Sequence, residues 1–212
     1  MSLLSYNEIL SLLDEGVIEN SKPEHVNSAS LDLTLGKFIL IESLAANGTH
    51  YHANLVSLAS RTPLHTVKYD LEALGTFILK PGQFILAQSK EIFNLPNWLS
   101  AEYKLKSSMA RIGLEHLNAG WCDAGWNGSV LTLEFRNMTT YHDIELKFGD
   151  KIGQMIFFEH KEVPEDRSYS ARGSYNHHVE VSGAASAAMQ TIEDVIINHK
   201  EATESKELQN EQ

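Results

Sequence analysis

The chain has 212 residues, enough for one domain with a full hydrophobic core and short appendages. Its formal net charge of −11 argues against polymeric nucleic acid, because such binding needs a basic surface that contacts many phosphates. A small anion such as a nucleotide stays open, since a few basic groups can converge locally. The sequence has no long apolar run, no secretory signal pattern and a single cysteine, Cys122, so we expect a cytoplasmic protein that is not bound to a membrane.

The N-terminal segment predicts one short helix between Ser5 and Gly16. Ser5 and Glu8 have the spacing of a capping box, and Leu4 with Ile9 suits a hydrophobic staple. Gly16 can close the helix in a left-handed conformation.

Most of the sequence that follows predicts β-strands. Leu31 to Leu35 alternates with period two, and Phe38 to Ile41 is a short apolar run. Two later segments, LKPGQFILA and LKFGDKIGQMIFF, each place a glycine turn before an apolar strand. Residues 43–69 are polar and are expected to be an excursion from the core. Short strands with glycine turns favour an all-β sandwich or jelly roll, with little helix beyond the N-terminal one.

The composition changes near the C-terminus, which predicts a domain over residues 1–182 and a tail over 183–212. The tail begins with small residues, and Met189 to His199 could form one amphipathic helix. Its last dozen residues are polar and are expected to be disordered.

The strand that we predict from Val130 to Arg136 carries one glutamate. Leu131, Leu133 and Phe135 would share one face, and Thr132 and Glu134 the other. Glu134 is either a solvent-facing strand residue or a general base held on a rigid element.

Two polar segments precede this strand. In KSSMAR, the hydroxyls of Ser107 and Ser108 and the guanidinium of Arg111 suit a phosphate or a polarised ring, although a plain polar turn fits equally well. Between residues 118 and 128, three glycines and two tryptophans surround Asp123, which allows a close backbone approach to a ligand or a purely structural turn.

A zinc site is not expected. His160-Lys161-Glu162 matches H-x-E, but a zinc deaminase also needs P-C-x-x-C, and the chain has one cysteine. None of the ten histidines has the H-E-x-x-H spacing, and His177-His178 is interpreted as a loop pair.

Several motifs occur together in a specific order: NSASLDLTLG, LKPGQFILAQSKEIFNLP, KSSMARIGL, NAGWCDAGW-x-G, TLEFRN and G-x-K-I-G-Q-M. In this combination the chain resembles the dCTP deaminases of the trimeric dUTPase superfamily. The resemblance runs from about Ser5 to His178, which is most of the chain.

The resemblance implies a dUTPase-like distorted jelly roll or β-barrel that assembles as a homotrimer with active sites shared between subunits. It also implies zinc-independent hydrolytic deamination of the cytosine ring of a deoxynucleotide. Magnesium (Mg2+) would accompany the triphosphate rather than act on the ring.

The same resemblance assigns roles to single positions. Glu134 matches the general base that activates water for attack at C4, and Ser107 and Arg111 match residues that hold the water and the ring environment. The matched substrate-binding positions are Lys106 and Ser108 near the phosphates, Ala119 and Gly120 in the discriminating loop, and Asp123 in the deoxyribose pocket. Thr132, Tyr169 and Tyr175 are further candidates for substrate binding, and Arg172 and His178 are candidates that no family position matches.

The sequence departs from the family pattern in two places. The stretch from Arg111 to Ala119 is one residue shorter and that from Asp123 to Glu134 is one longer, so a β-bulge or a displaced turn must absorb the change. The family's phosphate-binding lysine is absent from the segment 173–176, which reads Gly-Ser-Tyr-Asn, and Arg172 or His178 could replace it.

The predicted reaction converts dCTP to dUTP and ammonia. Because AGWCDAG resembles the bifunctional deaminases, a combined deaminase and dUTPase is an alternative, with Asp123 orienting water toward the α-phosphate. A dUTPase without deamination and a non-catalytic nucleotide sensor are further alternatives.

Overall fold

A computed structural model describes residues 2–43 and 64–184. By internal contacts the chain divides into two units, residues 1–55 with 64–183 and residues 56–63 with 184–212, and the fold below is that of the first unit. The predicted helix at 189–199 lies outside the described residues, as does most of the excursion predicted at 43–69. The predicted boundary between domain and tail stays a prediction.

The predicted N-terminal helix is confirmed as α1, Tyr6–Asp14. The Glu8 carboxylate accepts a hydrogen bond from the Ser5 backbone N–H at 2.7 Å, as a capping box requires, and a further one from the Ser5 hydroxyl at 2.6 Å. Gly16 follows with φ 73° and donates its N–H to the Leu13 carbonyl. The face that carries Ile9 is fully buried, so the helix covers one side of the core.

The described residues form thirteen strands and three further short helices. The strands are β1 Ser2–Leu3, β2 Ile18–Glu19, β3 Leu31–Thr34, β4 Phe38–Glu42, β5 Thr66–Asp70, β6 Thr76–Leu79, β7 Phe84–Phe93, β8 Leu99–Leu105, β9 Leu114–His116, β10 Trp121–Cys122, β11 Ser129–Asn137, β12 Ile144–Lys147 and β13 Lys151–Glu159. The helices are α2 Leu71–Leu74, α3 Ser107–Arg111 and α4 Tyr169–Arg172, with 3-10 turns at Pro23–His25 and Glu165–Arg167.

These strands pair antiparallel in two main sheets. The first has the order β1-β13-β8-β10, with β3 also paired to β13. The second has the order β5-β4-β7-β11-β9, with β2 also paired to β7. A separate ribbon pairs β12 with β6.

The two sheets share one hydrophobic core, to which β3, β8 and β13 contribute from the first sheet and β7 and β11 from the second. A fully buried carboxyl group, Glu91 of β7, also joins them, because it accepts hydrogen bonds from the Thr34 hydroxyl at 2.7 Å and from the Thr34 N–H. Burial raises the pKa of Glu91 above its ordinary value, although the bonds from Thr34 act in the opposite direction.

The prediction that residues 43–69 leave the core fold is wrong for residues 66–69. Thr66–Asp70 forms β5 and pairs along its full length with β4. β-branched and aromatic residues (Thr66, Val67 and Tyr69) favour this strand, and its polar residues suit a sheet edge. Tyr69 packs edge-on against Phe77, with ring centroids 5.3 Å apart.

The predicted all-β fold class is confirmed: two antiparallel sheets enclose one core, as in a jelly roll, with one N-terminal helix. Both predicted glycine turns are present before β7 and β13, and their glycines, Gly82 and Gly149, have φ values of 74° and 83°. Within residues 2–43 and 64–184, no helix is long and apolar enough to cross a membrane. The homotrimer stays a prediction.

Candidate active site

The predicted strand with the glutamate is β11. Leu131, Leu133 and Phe135 are buried in the core, while Thr132 and Glu134 on the opposite face are only partly buried. Pairing with β7 shifts register between Val130 and Thr132, which is the β-bulge that the extra residue in this stretch predicted.

Glu134 meets a histidine that the sequence analysis did not select. Glu134 Oε2 lies 3.2 Å from His116 Nε2, and the His116 side chain is only 5% exposed. The pair has the distance of an ion pair but not the angles of a hydrogen bond, so both atoms lack a hydrogen-bond partner among the described residues. This carboxylate oxygen is therefore free to accept a hydrogen bond.

The His116 ring has an assignable tautomer. The backbone N–H of Asn118 donates to Nδ1 at 3.2 Å, so Nδ1 is the acceptor and the proton of the neutral ring is on Nε2. His116 Nε2 lies 3.2 Å from Glu134 Oε2, but its N–H is not aligned for a hydrogen bond to that oxygen. The pairing of β9 with β11 sets this geometry, because His116 and Phe135 are direct partners in the sheet.

Aromatic rings close the inner side of this pair. The Tyr103 ring lies 4.6 Å from the His116 ring and the Phe135 ring lies 5.8 Å from it. Burial, followed by the charge of Glu134, raises the pKa of Tyr103, and its hydroxyl donates to the Ile152 carbonyl. Glu134 thus has an apolar wall on one side and partial exposure on the other.

The predicted polar turn KSSMAR is a short helix, α3. Ser107, Ser108 and Arg111 are exposed, and their side chains form no hydrogen bond or ion pair with the described residues. The structure does not bring Arg111 into contact with Glu134, although the prediction set them across one pocket.

Lys106, immediately before α3, already has a partner. Its Nζ donates to Asp32 Oδ1 at 2.6 Å, and Asp32 is buried on β3. Asp32 was not among the site residues predicted from the sequence. The available signal was a lone carboxylate in LDLTL, an otherwise apolar strand.

The loop that contains Ala119 and Gly120 runs beside Tyr103. Gly120 accepts the Tyr103 N–H at 2.8 Å, and a Cβ on Gly120 would lie 2.6 Å from the Tyr103 carbonyl oxygen, so only glycine fits. Ala119 is exposed. Asp123 is also exposed, and its Oδ1 accepts a hydrogen bond from Trp121 Nε1 at 2.7 Å.

The C-terminal segment packs against this loop and the start of β11. The Tyr169 N–H donates to Ala124, the Tyr175 carbonyl accepts from Trp126 Nε1 at 3.0 Å, and the His178 carbonyl accepts from Val130 at 2.9 Å. Burial raises the pKa of Tyr169 above its ordinary value. Arg172 is exposed, and His178 Nδ1 lies 3.1 Å from the Ser182 hydroxyl. Tyr169 and Tyr175 therefore lie beside the loop that holds Asp123.

Comparison with known proteins places the chain in a family. The model of the dCTP deaminase-like family matches residues 3–160. The chain is 36% identical over 159 residues to a dCTP deaminase, dUMP-forming, of Pseudarthrobacter chlorophenolicus, covering 74% of this chain and 79% of the relative. It is 34% identical over 177 residues to a protein of the same name from Persephonella marina, covering 82% and 91%.

Among solved structures, the chain is similar to the 2'-deoxycytidine 5'-triphosphate deaminase of Agrobacterium tumefaciens, with TM-score 0.54 and 25% identity. The match covers 73% of this chain and 47% of that one, so the chain spans about half the length of that structure. The relatives' names give dUMP as the product, which differs from the dUTP that the sequence analysis predicted. The chain belongs to the dCTP deaminase-like family.

Proposed function

We propose that this protein is an enzyme that converts dCTP and two water molecules to dUMP, ammonia and pyrophosphate. The observation that carries the proposal is the pair of Glu134 and His116, in which a carboxylate oxygen with no hydrogen-bond partner among the described residues lies at the edge of an apolar wall. A carboxylate in such a place can take a proton from water and return it to a leaving amine.

The deamination step needs little more than this base. Glu134 takes a proton from water while the water oxygen bonds to C4 of cytosine, and it passes this proton to the ring nitrogen N3. Glu134 then takes the proton of the new C4 hydroxyl and passes it to the amino group, the C4–N bond breaks, and ammonia leaves a uracil carbonyl. His116, with its proton on Nε2, holds the carboxylate in one orientation during both transfers.

Arg111 and Ser107 complete the site from α3. Because these side chains are exposed and have no hydrogen-bond partner in the described chain, they suit a nucleotide held at a subunit boundary. Ile112 and Leu117 nearby are 52% and 53% exposed, which is unusual for large apolar side chains and favours burial against another subunit. A homotrimer with shared active sites accounts for both features.

The remaining candidate residues surround the nucleotide in this proposal. Ala119 and Gly120 close over the ring, Thr132 lies on the strand face of Glu134, and Asp123 contacts the deoxyribose. Ser108 and Lys106 lie on the phosphate side, with Tyr169, Tyr175 and His178 or Arg172 from the C-terminal segment. Magnesium enters as the counterion of the triphosphate and is part of the substrate.

The second step, release of pyrophosphate, is supported by Asp123. Trp121 holds one oxygen of this carboxylate, and the other is free to orient a water toward the α-phosphate. The names of the two relatives combine deamination of dCTP with formation of dUMP. Deamination alone, with dUTP as the product, is the second candidate.

One assay distinguishes these functions. Purified protein is incubated with dCTP, dCMP or dUTP plus magnesium, and ammonia and pyrophosphate are measured separately. We expect equal amounts of ammonia and pyrophosphate from dCTP. Ammonia without pyrophosphate would support the second candidate, pyrophosphate from dUTP without ammonia from dCTP would mean a dUTPase, and tight dCTP binding without either product would mean a nucleotide sensor.

A further inference from the structure

Two lysines, one between β8 and α3 and one at the start of β13, share one buried aspartate beside α3. Asp32 is only 4% exposed. Its Oδ1 accepts a hydrogen bond from Lys106 Nζ at 2.6 Å, and its Oδ2 accepts one from Lys151 Nζ at 3.0 Å. Asn27 Nδ2 also donates to Oδ1, at 2.8 Å. One carboxylate thus fixes the positions of both ammonium groups.

The two positive charges of this cluster outnumber its one negative charge. Burial alone would raise the pKa of Asp32, but the hydrogen bonds from both lysines and Asn27 hold it below its ordinary value, so it is ionised at neutral pH. Burial and the charge of Lys151 lower the pKa of His25, which therefore adds no charge. Two ammonium groups against one carboxylate leave one net positive charge, on a chain whose net charge is −11.

Both lysines can still reach a ligand. The side chain of Lys106 is 27% exposed and that of Lys151 is 47% exposed. Each ammonium group has three donors and gives one to Asp32, which leaves donors for an anion. The Lys106 N–H donates to the Ile152 carbonyl, so the start of β13 lies directly beside the residue that precedes Ser107.

We propose that Lys151 is a further substrate-binding residue, which contacts the phosphates together with Lys106, and that Asp32 is the positioning residue for both. This inference rests on the proposed function, since it assigns the triphosphate to this side of the site. Lys151 then supplies the cation that segment 173–176 lacks.

Lys151 is a better candidate for this cation than the two residues that the sequence suggested. His178 Nδ1 already lies at hydrogen-bond distance from the Ser182 hydroxyl. Arg172 is exposed at the end of α4, and its side chain has no partner in the described chain that would fix its position. Lys151 has a defined position and lies beside the predicted phosphate-binding turn.

The test compares Lys151→Met with Lys151→Arg in the full-length protein. Lys147→Met is the matched control, because Lys147 is a similarly exposed lysine that is paired with a carboxylate, Glu145. Binding of inorganic tripolyphosphate and of dCTP is measured by calorimetry, and kcat and KM are measured for dCTP and for deoxycytidine, which has no phosphate.

Lys151→Met should weaken tripolyphosphate and dCTP binding about tenfold, as expected for loss of a charge-assisted hydrogen bond. It should raise KM for dCTP and leave kcat/KM for deoxycytidine unchanged, whereas Lys151→Arg and Lys147→Met should bind as wild type does. Equal losses for dCTP and deoxycytidine, unchanged dCTP binding, or a loss in Arg172→Met instead would each overturn the inference.

The outcome is separate from that of the proposed function. If wild type binds tripolyphosphate through Lys151 but releases no ammonia from dCTP, the inference stands and the deaminase proposal fails. If wild type deaminates dCTP and Lys151→Met binds tripolyphosphate as tightly as wild type does, the deaminase proposal stands and the inference about Lys151 fails.

Discussion

The Glu134–His116 pair packs against other residues of the chain, whereas the side chains of Ser107, Ser108 and Arg111 on the helix α3 are exposed. Glu134 and His116 lie on paired strands, against aromatic rings, at a fixed separation of 3.2 Å. Ser107, Ser108 and Arg111 lie on a five-residue helix, exposed and without hydrogen-bond partners in the described chain. In our account, one subunit holds the base through its own contacts and presents the helix to the nucleotide in the site of a neighbouring subunit.

Changing the base gives the largest expected effect. Glu134→Gln keeps the shape of the side chain but cannot accept a proton, so we expect ammonia release from dCTP to fall by about 10³-fold. Calorimetry should still detect dCTP binding. Glu145→Gln, an exposed glutamate on β12, is the control and should keep full activity. Measurable turnover by the Glu134 variant near the wild-type rate would remove Glu134 from the mechanism.

Removing the arginine of α3 should affect activity without affecting stability. Arg111→Ala should lower kcat/KM for dCTP by about 10²-fold, because the guanidinium stabilises charge only when the nucleotide is present. The midpoint of thermal unfolding should not change, since Arg111 has no hydrogen bond or ion pair within the described chain. Arg167→Ala is a matched control for an exposed arginine. A large drop in the midpoint would mean that Arg111 has a structural role.

The partner of the base should have a smaller effect. His116→Phe keeps an aromatic ring but removes the Nε2 proton, and we expect kcat to fall about tenfold with little change in KM. His116→Gln can still place a donor near Glu134 and should stay within about threefold of wild type. Equal losses in both variants would show that packing, rather than the donor, explains the effect.

Asp32 sharpens the comparison through stability and pH. Asp32→Asn should lower the free energy of unfolding by about 2 kcal/mol at pH 7, because two partly exposed lysines lose the buried carboxylate that they share. The pKa of Asp32 is lowered in the folded state, so its contribution is complete above the ordinary carboxyl pKa and is lost as the pH falls through the lowered value. Denaturant unfolding from pH 7 to pH 3 should show the gap between variant and wild type narrowing below about pH 4. A constant gap would contradict this linkage.

The sequence predicted the elements that local patterns define. The capping box of Ser5 and Glu8 gave α1, period-two alternation gave β11, and a one-residue length change gave the bulge after Val130. Patterns of this kind act over a few residues, so they can be interpreted without tertiary contacts. The strand β5 was missed because its few strand-favouring residues follow a polar segment, and its pairing with β4 is not visible in the local sequence.

The parts of the site that the sequence did not predict depend on contacts between distant segments. His116 becomes significant only because β9 pairs with β11, and Asp32 only because Lys106 and Lys151 converge on it from 74 and 119 positions away. His116 stands in no distinctive motif, and the motif NSASLDLTLG around Asp32 does not by itself show which residues Asp32 contacts. The resemblance selected the residues that we propose to contact the nucleotide, and the structure was needed to find His116 and Asp32, which lie against Glu134 and Lys106.

A mixing experiment tests the central claim, that the base and α3 act on one nucleotide from different subunits. Inactive Glu134→Gln and Arg111→Ala proteins are unfolded together, refolded at equal amounts, and assayed for ammonia release from dCTP. Random assembly of a trimer with sites between subunits should restore about a quarter of wild-type activity, since that fraction of sites has both intact groups. Activity no higher than that of the separately refolded variants would place both groups in the same subunit and contradict the account.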